Sequence, residues 1–431
     1  MEQNTRRPRR NAIVGQSGGP TAAFNATLAG VVRGVLATGG IDRLYGMRNG
    51  IEGLQSGRLT DLCAIFTDGN GAPDEDKLRL LAHTPAAALG SCRRKLPDPD
   101  DPAGEPVFRA LLAVLEQYDI GFFFYIGGND SMDTVAKLSA YAHRVGFPLT
   151  VIGIPKTIDN DLEGTDHTPG FGSAAKLVAT TMQEILLDCA VYTIPAVTIV
   201  EIMGRNAGWL TAAAALGRVS GGLVPDYVYL PEVDFSMSAF FDDVRQALAR
   251  HPNVVIAVSE GIHLADGTPV GASAQNVDAF GHAALSGAGK VLEHAVRAEL
   301  GCKVRSIELN TPQRCGAHIL SATDIEESLR VGSAAVTAAA GGVSGVMMTI
   351  ERVSDAPYQS EISYCAVADI ANLVRHVPAP FINRDGNHVT DECCRAIAPL
   401  IAGETLPVFE DGLPRFFVLP DEPTENGNGN A

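Results

Sequence analysis

The sequence predicts an α/β fold with mainly parallel sheets, and three observations carry that prediction. Short apolar runs recur along the chain, each too brief for a helix, each followed by a polar turn and then a helical stretch. Apolar residues make up 46% of the chain but aromatics only 6%, so the core is drawn mainly from Ala, Val, Ile and Leu, the palette of helices packed on a parallel sheet. The runs end in glycine and polar residues, and open α/β sheets bind ligands at the carboxyl ends of their strands.

The first strand is read at residues 11–15. Gln16-Ser17-Gly18-Gly19-Pro20 makes a tight turn, and a helix is expected from Pro20 to about Thr38, with Phe24, Leu28, Val31, Val32 and Val35 on one side. Strand, glycine turn and helix N-terminus together turn backbone N–H groups toward an anion, although a plain βα turn has the same pattern. The turn is neither GxGxxG nor a Walker loop. Residues 41–100 carry less pattern. Within them, Leu89-Gly90-Ser91-Cys92-Arg93-Arg94-Lys95 places cations after a small-residue turn, either a solvated basic corner or a phosphate clamp. Residues 96–106, rich in Pro and Asp, form a surface loop.

The pattern then repeats. A strand at 120–126 leads to Gly127-Gly128-Asn129-Asp130-Ser131 and a helix ending near Val145. A third strand, 149–154, runs through Pro155 into Lys156-Thr157-Ile158-Asp159-Asn160-Asp161. Aspartates commonly serve as turn and cap residues, but a turn does not need an ammonium beside two carboxylates. Residues 165–176 are glycine-rich, and a helix follows through Leu177, Met182 and Leu186. A strand at 197–202 ends in Met203-Gly204-Arg205-Asn206-Ala207-Gly208 before an Ala-rich helix. Strands at 254–258 and 304–309 end in Ser259-Glu260-Gly261 and near Gln313-Arg314-Cys315-Gly316, and a late strand at 343–350 follows a helix at 333–341. Gly287-Ala288-Gly289-Lys290 resembles the end of a Walker loop, but Ala284 and Val291 occupy its glycine and hydroxyl positions. Residues 420–431, rich in Pro, Glu, Asn and Gly, are expected to be a disordered tail.

The 431 residues suit two or three domains. A net charge of −17 argues against a nucleic-acid or acidic-membrane partner, and no apolar run is long enough to span a bilayer. Met1 to Arg10 holds four arginines without an apolar segment behind them, which reads as a short basic tail and not a secretory signal. The eight cysteines form no CxxC pair, as expected of reduced thiols in a cytoplasmic protein.

In a parallel sheet these strand ends gather along one edge. The edge would hold Lys156, Arg205 and Arg314, with Arg93 and Arg305 as further candidates, and the acids Asp130, Asp159, Asp161 and Glu260. Cations and backbone N–H groups suit phosphates, while carboxylates suit a magnesium ion and a general base. The chemistry so inferred is phosphoryl transfer, which needs positioning and charge neutralisation above all.

SGGP, GGNDS, PKTIDND, MGRNAGW, SEGI and the downstream QR, in this order, resemble the phosphofructokinase family over residues 11 to about 350. The resemblance implies two similar three-layer α/β domains with mainly parallel sheets and the active site in the cleft between them. Residues 1–170 plus 313–365 would hold the phosphoryl donor, and 171–312 plus 366–419 the sugar phosphate. Asp159 is implied as the base toward the sugar 1-hydroxyl. Thr157 and Ile158 would sit with it at the sugar, Met203, Gly204, Arg205 and Glu260 along the sugar body, and Arg314 at the 6-phosphate. Arg305 matches an arginine that the family supplies from a neighbouring subunit, so a homodimer or homotetramer is expected. Gly19 and Arg93 match donor-phosphate positions, and Mg2+ is the implied cofactor.

Asp130 and Lys156 stand where ATP-dependent relatives carry glycines, whereas the pyrophosphate-dependent branch carries Asp and Lys. A carboxylate at 130 would repel the α-phosphate of ATP, and a lysine at 156 adds a cation for a small inorganic donor. The expectation is reversible phosphoryl transfer from pyrophosphate to fructose 6-phosphate, with Lys156, Asp159 and Asp130 as the catalytic set. Three positions depart from the family pattern. Asn129 replaces a metal-binding aspartate, Thr311 a His or Tyr at the 6-phosphate, and Ala196 a subunit-crossing arginine. Thr311 and Ala196 keep open another acceptor, sedoheptulose 7-phosphate or a polyol. Asp130 and Lys156 argue against an ATP-dependent 6-phosphofructokinase, and Lys156 and Asp159 against a non-catalytic metabolite sensor, which has no need of a base. Ala29 and Arg33 occupy the places of a paired effector-binding arginine motif, so activation by nucleoside diphosphates is not expected.

Overall fold

The computed structural model describes residues 10–277, 283–285 and 287–420. The Walker-like stretch begins inside this range, whereas most of the expected basic and C-terminal tails lies outside it. Among the described residues, no helix is long and apolar enough to cross a membrane.

Strand β1 (Arg10–Gln16) is followed by α1 (Phe24–Ala37), β2 (Ile41–Met47), β3 (Leu59–Asp61), β4 (Ile120–Gly127), α2 (Asn129–Arg144) and β5 (Thr150–Pro155). Next come α3 (Phe171–Ala190), β6 (Ala196–Ile202), β7 (Tyr227–Tyr229), β8 (Asn253–Ser259), α4 (Ala288–Leu300), β9 (Lys303–Glu308), α5 (Ala322–Ala340), β10 (Val346–Asp355) and β11 (Tyr358–Ala366). The first sheet runs β11-β10-β5-β4-β1-β2-β3 and is parallel except for its two edge strands, β11 and β3. The second runs β9-β6-β8-β7 and is parallel throughout.

Both sheets are covered on both faces, which is why their strands are apolar without alternation. In β4, Phe124 and Ile126 face one core with α1 and α5, while Phe123 and Tyr125 face another with α2. In the second sheet, Val200 and Ile202 pack toward α3, and Val197 and Ile199 toward α4. Helices α1 and α5 cross closely through paired glycines. A Cβ on Gly30 would come 2.2 Å from the Leu329 carbonyl oxygen, and one on Gly332 would come 2.3 Å from that of Thr27.

Two expectations about helices are corrected. Helix α1 starts at Phe24 and not at Pro20, because Gly18 takes a φ of +82° and the following residues form a loop whose carbonyl at Gly19 holds a lysine. The Ala-rich stretch after Gly208 is one α-helical turn, Trp209–Ala212, continuing as a 3₁₀ helix, Ala213–Ser220. Gly217 there packs so closely on the Leu223 carbonyl that a Cβ would approach to 2.1 Å.

Candidate active site

A cleft of about 580 Å3 opens where the carboxyl ends of the two sheets meet. One wall starts at β1. The Gln16 amide accepts from Leu89 N–H at 2.9 Å, Gly18 N–H donates to the Cys92 carbonyl at 3.1 Å, and Ser91 Oγ donates to the Gly18 carbonyl at 2.6 Å. These bonds pin the basic corner to the glycine loop and bring Arg93 and Lys95 into the cleft beside Gly18 and Gly19.

The loop after β5 is stitched from within. Asn160, in the left-handed region at φ 54°, accepts from Thr168 N–H, and Thr168 Oγ1 donates to the Thr157 carbonyl at 2.8 Å. Asp159 N–H donates to Thr157 Oγ1. The turn buries Asn160 and leaves Asp159 and Asp161 lining the cleft. Lys156 is 2% exposed, donates to the Gly19 carbonyl at 2.7 Å and stands 4.8 Å above the Phe24 ring.

The facing wall comes from β6 and β8. Ser259 Oγ donates to the Gly204 carbonyl, Gly204 N–H donates to Glu260 Oε1 at 3.3 Å, and Met203 N–H donates to Gln313 Oε1. Gly204 has a φ of +136° and serves through its backbone, while Met203, Arg205 and Glu260 line the cleft. Arg314 reaches across, so that a Cβ on Gly19 would lie 3.6 Å from its Nη1.

Burial sets the ionisation of the site. It lowers the Lys156 ammonium from 10.5 to about 8, although Asp159 and Asp161 pull the other way. It raises Asp159, opposed by Lys156 and Arg205. Asp161 is pushed up to about 7 by burial and then by Asp159, and Glu260 to about 7 by the same two causes. Closely spaced carboxylates whose ionisation lies near neutrality suit proton transfer at physiological pH.

The structure thus brings together Gly19, Arg93, Asn129, Asp130, Lys156, Thr157, Ile158, Asp159, Met203, Arg205, Glu260 and Arg314. Thr311 is exposed at the start of the short turn that carries Arg314 and is not in the cleft lining. Arg305 lies elsewhere, in surface hollows with Asp188, Cys189 and Thr198. On α1, Ala29 is buried and Arg33 pairs with Glu75. Sequence reasoning missed Lys95 as Asp130's partner, 3.1 Å from Oδ1, although the run of cations was its signal. It also missed Asn206, Asn372 and Val374 in the cleft wall. The last two come from a segment with no motif.

For a divalent cation, the donor chemistry fits. Asn129 Oδ1 is buried without a hydrogen-bond partner, while its Nδ2 donates to Asp161 Oδ2 at 3.3 Å. A free amide oxygen next to a carboxylate suits Mg2+, which takes few protein ligands and completes its shell with phosphates and water. No cluster of three or more His, Cys, Asp or Glu arranged for a metal occurs among the described residues.

The Phosphofructokinase family model matches residues 11–339. The chain is 42% identical over 412 residues to a Xanthomonas campestris protein named pyrophosphate–fructose 6-phosphate 1-phosphotransferase, covering 95% of this chain and 96% of that one. It is 40% identical over 410 residues to a Halomonas elongata protein of the same name, with 94% and 95% covered. The crystal structure of a pyrophosphate-dependent phosphofructokinase from Nitrosospira multiformis superposes with a TM-score of 0.83 at 36% identity, over 96% of this chain and 99% of that one. The chain belongs to the phosphofructokinase family.

Proposed function

We propose that the protein is a diphosphate–fructose-6-phosphate 1-phosphotransferase, moving a phosphoryl group reversibly between pyrophosphate and the 1-hydroxyl of fructose 6-phosphate. The observation that carries this reading is the buried ammonium of Lys156, held on the Gly19 carbonyl between the glycine loop and Asp159. A Cβ on Gly18 would lie 3.4 Å from it, so the cation fills the space next to the donor loop. Arg93 and the loop N–H groups hold the donor beside Lys156. Asp159 takes the proton of the 1-hydroxyl, whose oxygen bonds to the distal phosphorus as the bridging P–O bond breaks. Fructose 1,6-bisphosphate and phosphate result. Lys156 stabilises the charge that builds on the transferring and leaving oxygens. Asn129 Oδ1 and Asp161 would hold Mg2+, which neutralises phosphate charge when bound.

The sugar lies along Thr157, Ile158, Met203, Gly204, Arg205 and Glu260, with its 6-phosphate at Arg314, near Thr311 and the partner subunit's Arg305. The surroundings of Arg305 support a homo-oligomer. Leu187, Val191, Tyr192 and Ile194, 52–71% exposed, cluster in sequence around the hollows it lines. Residues 1–170 with 313–365 serve the donor and 171–312 with 366–419 the sugar, and the working compartment is the cytoplasm. The exposed Thr311 favours a second acceptor reading, sedoheptulose 7-phosphate or a polyol, with the donor unchanged.

A coupled assay crossing pyrophosphate and ATP with these acceptors tests the reading. The expected outcome is turnover with pyrophosphate and fructose 6-phosphate and at least about a hundredfold less with ATP, since a misplaced charge costs that much. Equal use of ATP refutes the donor assignment. Equal use of an unphosphorylated polyol refutes the acceptor.

A further inference from the structure

A second cavity, of about 410 Å3, lies behind the catalytic loop. Asn160 lines it, whereas its neighbours Asp159 and Asp161 line the cleft. That volume suits a small metabolite. Its floor is Trp209, the sole tryptophan of the chain, packed edge-to-face on Phe381. The Arg375 guanidinium stacks 4.4 Å over the indole. Among the described residues the Arg375 side chain makes one hydrogen bond, a long one of 3.5 Å from Nη1 to the Asn160 carbonyl. Arg352 in the same wall is committed to Asp166 at 3.0 Å and Asp355 at 3.1 Å. Among the described residues, by contrast, no carboxylate pairs with Arg375 or with Arg395. The remaining lining acid, Glu392, is exposed to solvent, as is Arg395 at the cavity's rim. Asp166 and Glu163 attract the half-buried Arg375 guanidinium only from beyond ion-pairing distance, and stacking on an aromatic face holds it ready for a planar or tetrahedral oxyanion.

We propose that this cavity binds a small phosphomonoester and that its occupancy adjusts the catalytic loop. Arg375 and Arg395 take the dianion, and Trp209 and Phe381 support the carbon body. The coupling runs through backbone bonds. Arg375 N–H donates to the Asp161 carbonyl at 2.9 Å, and the Trp209 indole N–H donates to the Arg375 carbonyl at 3.0 Å. Trp209 follows directly on the loop of Gly204 to Gly208, which walls the sugar side of the cleft. A ligand that draws Arg375 toward itself therefore loads both the catalytic loop and the sugar-side loop.

The single tryptophan is the reporter. Glycerol 3-phosphate, neither substrate nor product of the proposed reaction, is titrated into wild type, Arg395→Gln and Arg314→Gln while Trp209 fluorescence is followed. Wild type should show a saturable change by about 10 mM, the affinity range open to a small dianion with two cationic contacts. Arg395→Gln should bind at least about tenfold more weakly, one charge-assisted contact being worth that much, with turnover in the absence of the probe unchanged. Arg314→Gln, altered in the cleft, should keep the response. In wild type the probe should also shift the sugar KM by at least about twofold, a small part of the coupling that allosteric sites show. No saturable response, a response indifferent to Arg395, or one lost only in Arg314→Gln overturns the site. A response without any change in KM or kcat overturns the coupling.

Discussion

Replacing Lys156 with Met separates what this lysine does for the chemistry from what it costs the fold. Methionine keeps the length and the contact with Phe24 but removes the charge. The folded chain holds the Lys156 ammonium at a pKa of about 8 instead of 10.5. That difference costs about 3 kcal/mol of stability at neutral pH. The folded pKa lies below the unfolded one, so the folded chain releases its proton first. The penalty is in full force below about 8 and fades as pH rises toward 10.5. Against this gain, the variant loses the bond to the Gly19 carbonyl, a charge-assisted contact of about 1.5–3 kcal/mol. The two terms nearly cancel, so thermal melts at pH 7 should stay within about 2 kcal/mol of wild type. Turnover with pyrophosphate, followed as released phosphate or fructose 1,6-bisphosphate, should nevertheless fall about 10²- to 10³-fold. The pH profile of kcat/KM adds a second reading. Wild type should lose activity above about 8, where Lys156 deprotonates, and on the acid side above the ordinary carboxylate range, because burial raises Asp159. In the variant the alkaline limb should disappear. A variant that keeps a tenth of wild-type turnover, or an unchanged alkaline limb, would refute the assignment; a large loss of stability would show Lys156 to be chiefly structural.

Asp159→Asn should lower turnover on the order of 10² or more while the sugar phosphate still binds by calorimetry; a tenth of wild-type turnover in both directions contradicts the base assignment. Mixing inactive Asp159→Asn with Arg305→Gln subunits should restore part of the activity if Arg305 serves the partner's site, and no recovery from a verified mixed oligomer removes it from that role. Asp130→Gly alone should make a poor ATP kinase and Lys156→Gly alone none, whereas the double variant should exceed the additive expectation, as neighbours sharing one ligand do; purely additive ATP rates argue against a shared donor site. His167, 2% exposed between Asp166 at 2.8 Å and Glu327 at 2.7 Å, is pushed up to about 9 by those two bonds despite its burial. Its folded pKa lies above the unfolded one, so the stability it contributes is complete below about 6.5 and is lost as pH rises through 9; His167→Phe should cost about 3–5 kcal/mol at pH 6 and much less at pH 10, by chemical denaturation.

The parallel sheets were legible because a strand covered on both faces must be continuously apolar, and β4 to β6 and β8 read that way. Strand β2 was not, since Asp42 and Arg43 face solvent where the sheet nears its edge and break the run. Nor was β11, an edge strand with one open face whose burial alternates from Tyr358 to Glu361. The start of α1 was misplaced because Pro20 satisfies a helix start locally, yet Gly18 and Gly19 are held away from helical geometry by Cys92, Ser91 and Lys156, which are distant in sequence.

Lys95 bears directly on donor choice. Residue types at strand ends foretold which charges would share the cleft, but not which would pair. Sequence reasoning treated Asp130 as a bare negative charge facing the α-phosphate of ATP. In the structure it accepts an ion pair from Lys95, with the lysine side chain 47% and the aspartate 27% exposed. An exposed pair is worth little to stability, about 0–1 kcal/mol, so it can open cheaply when a polyanion arrives. A small donor can draw Lys95 toward its own oxygens. The longer chain of ATP would have to place its α-phosphate against the carboxylate thereby uncovered. Under the proposed donor assignment, discrimination would rest on two residues moving apart and not on one repulsive charge. The relevant spacing, Lys95 to Asp130, is one that only the pinning of the basic corner to the Gly18 loop creates.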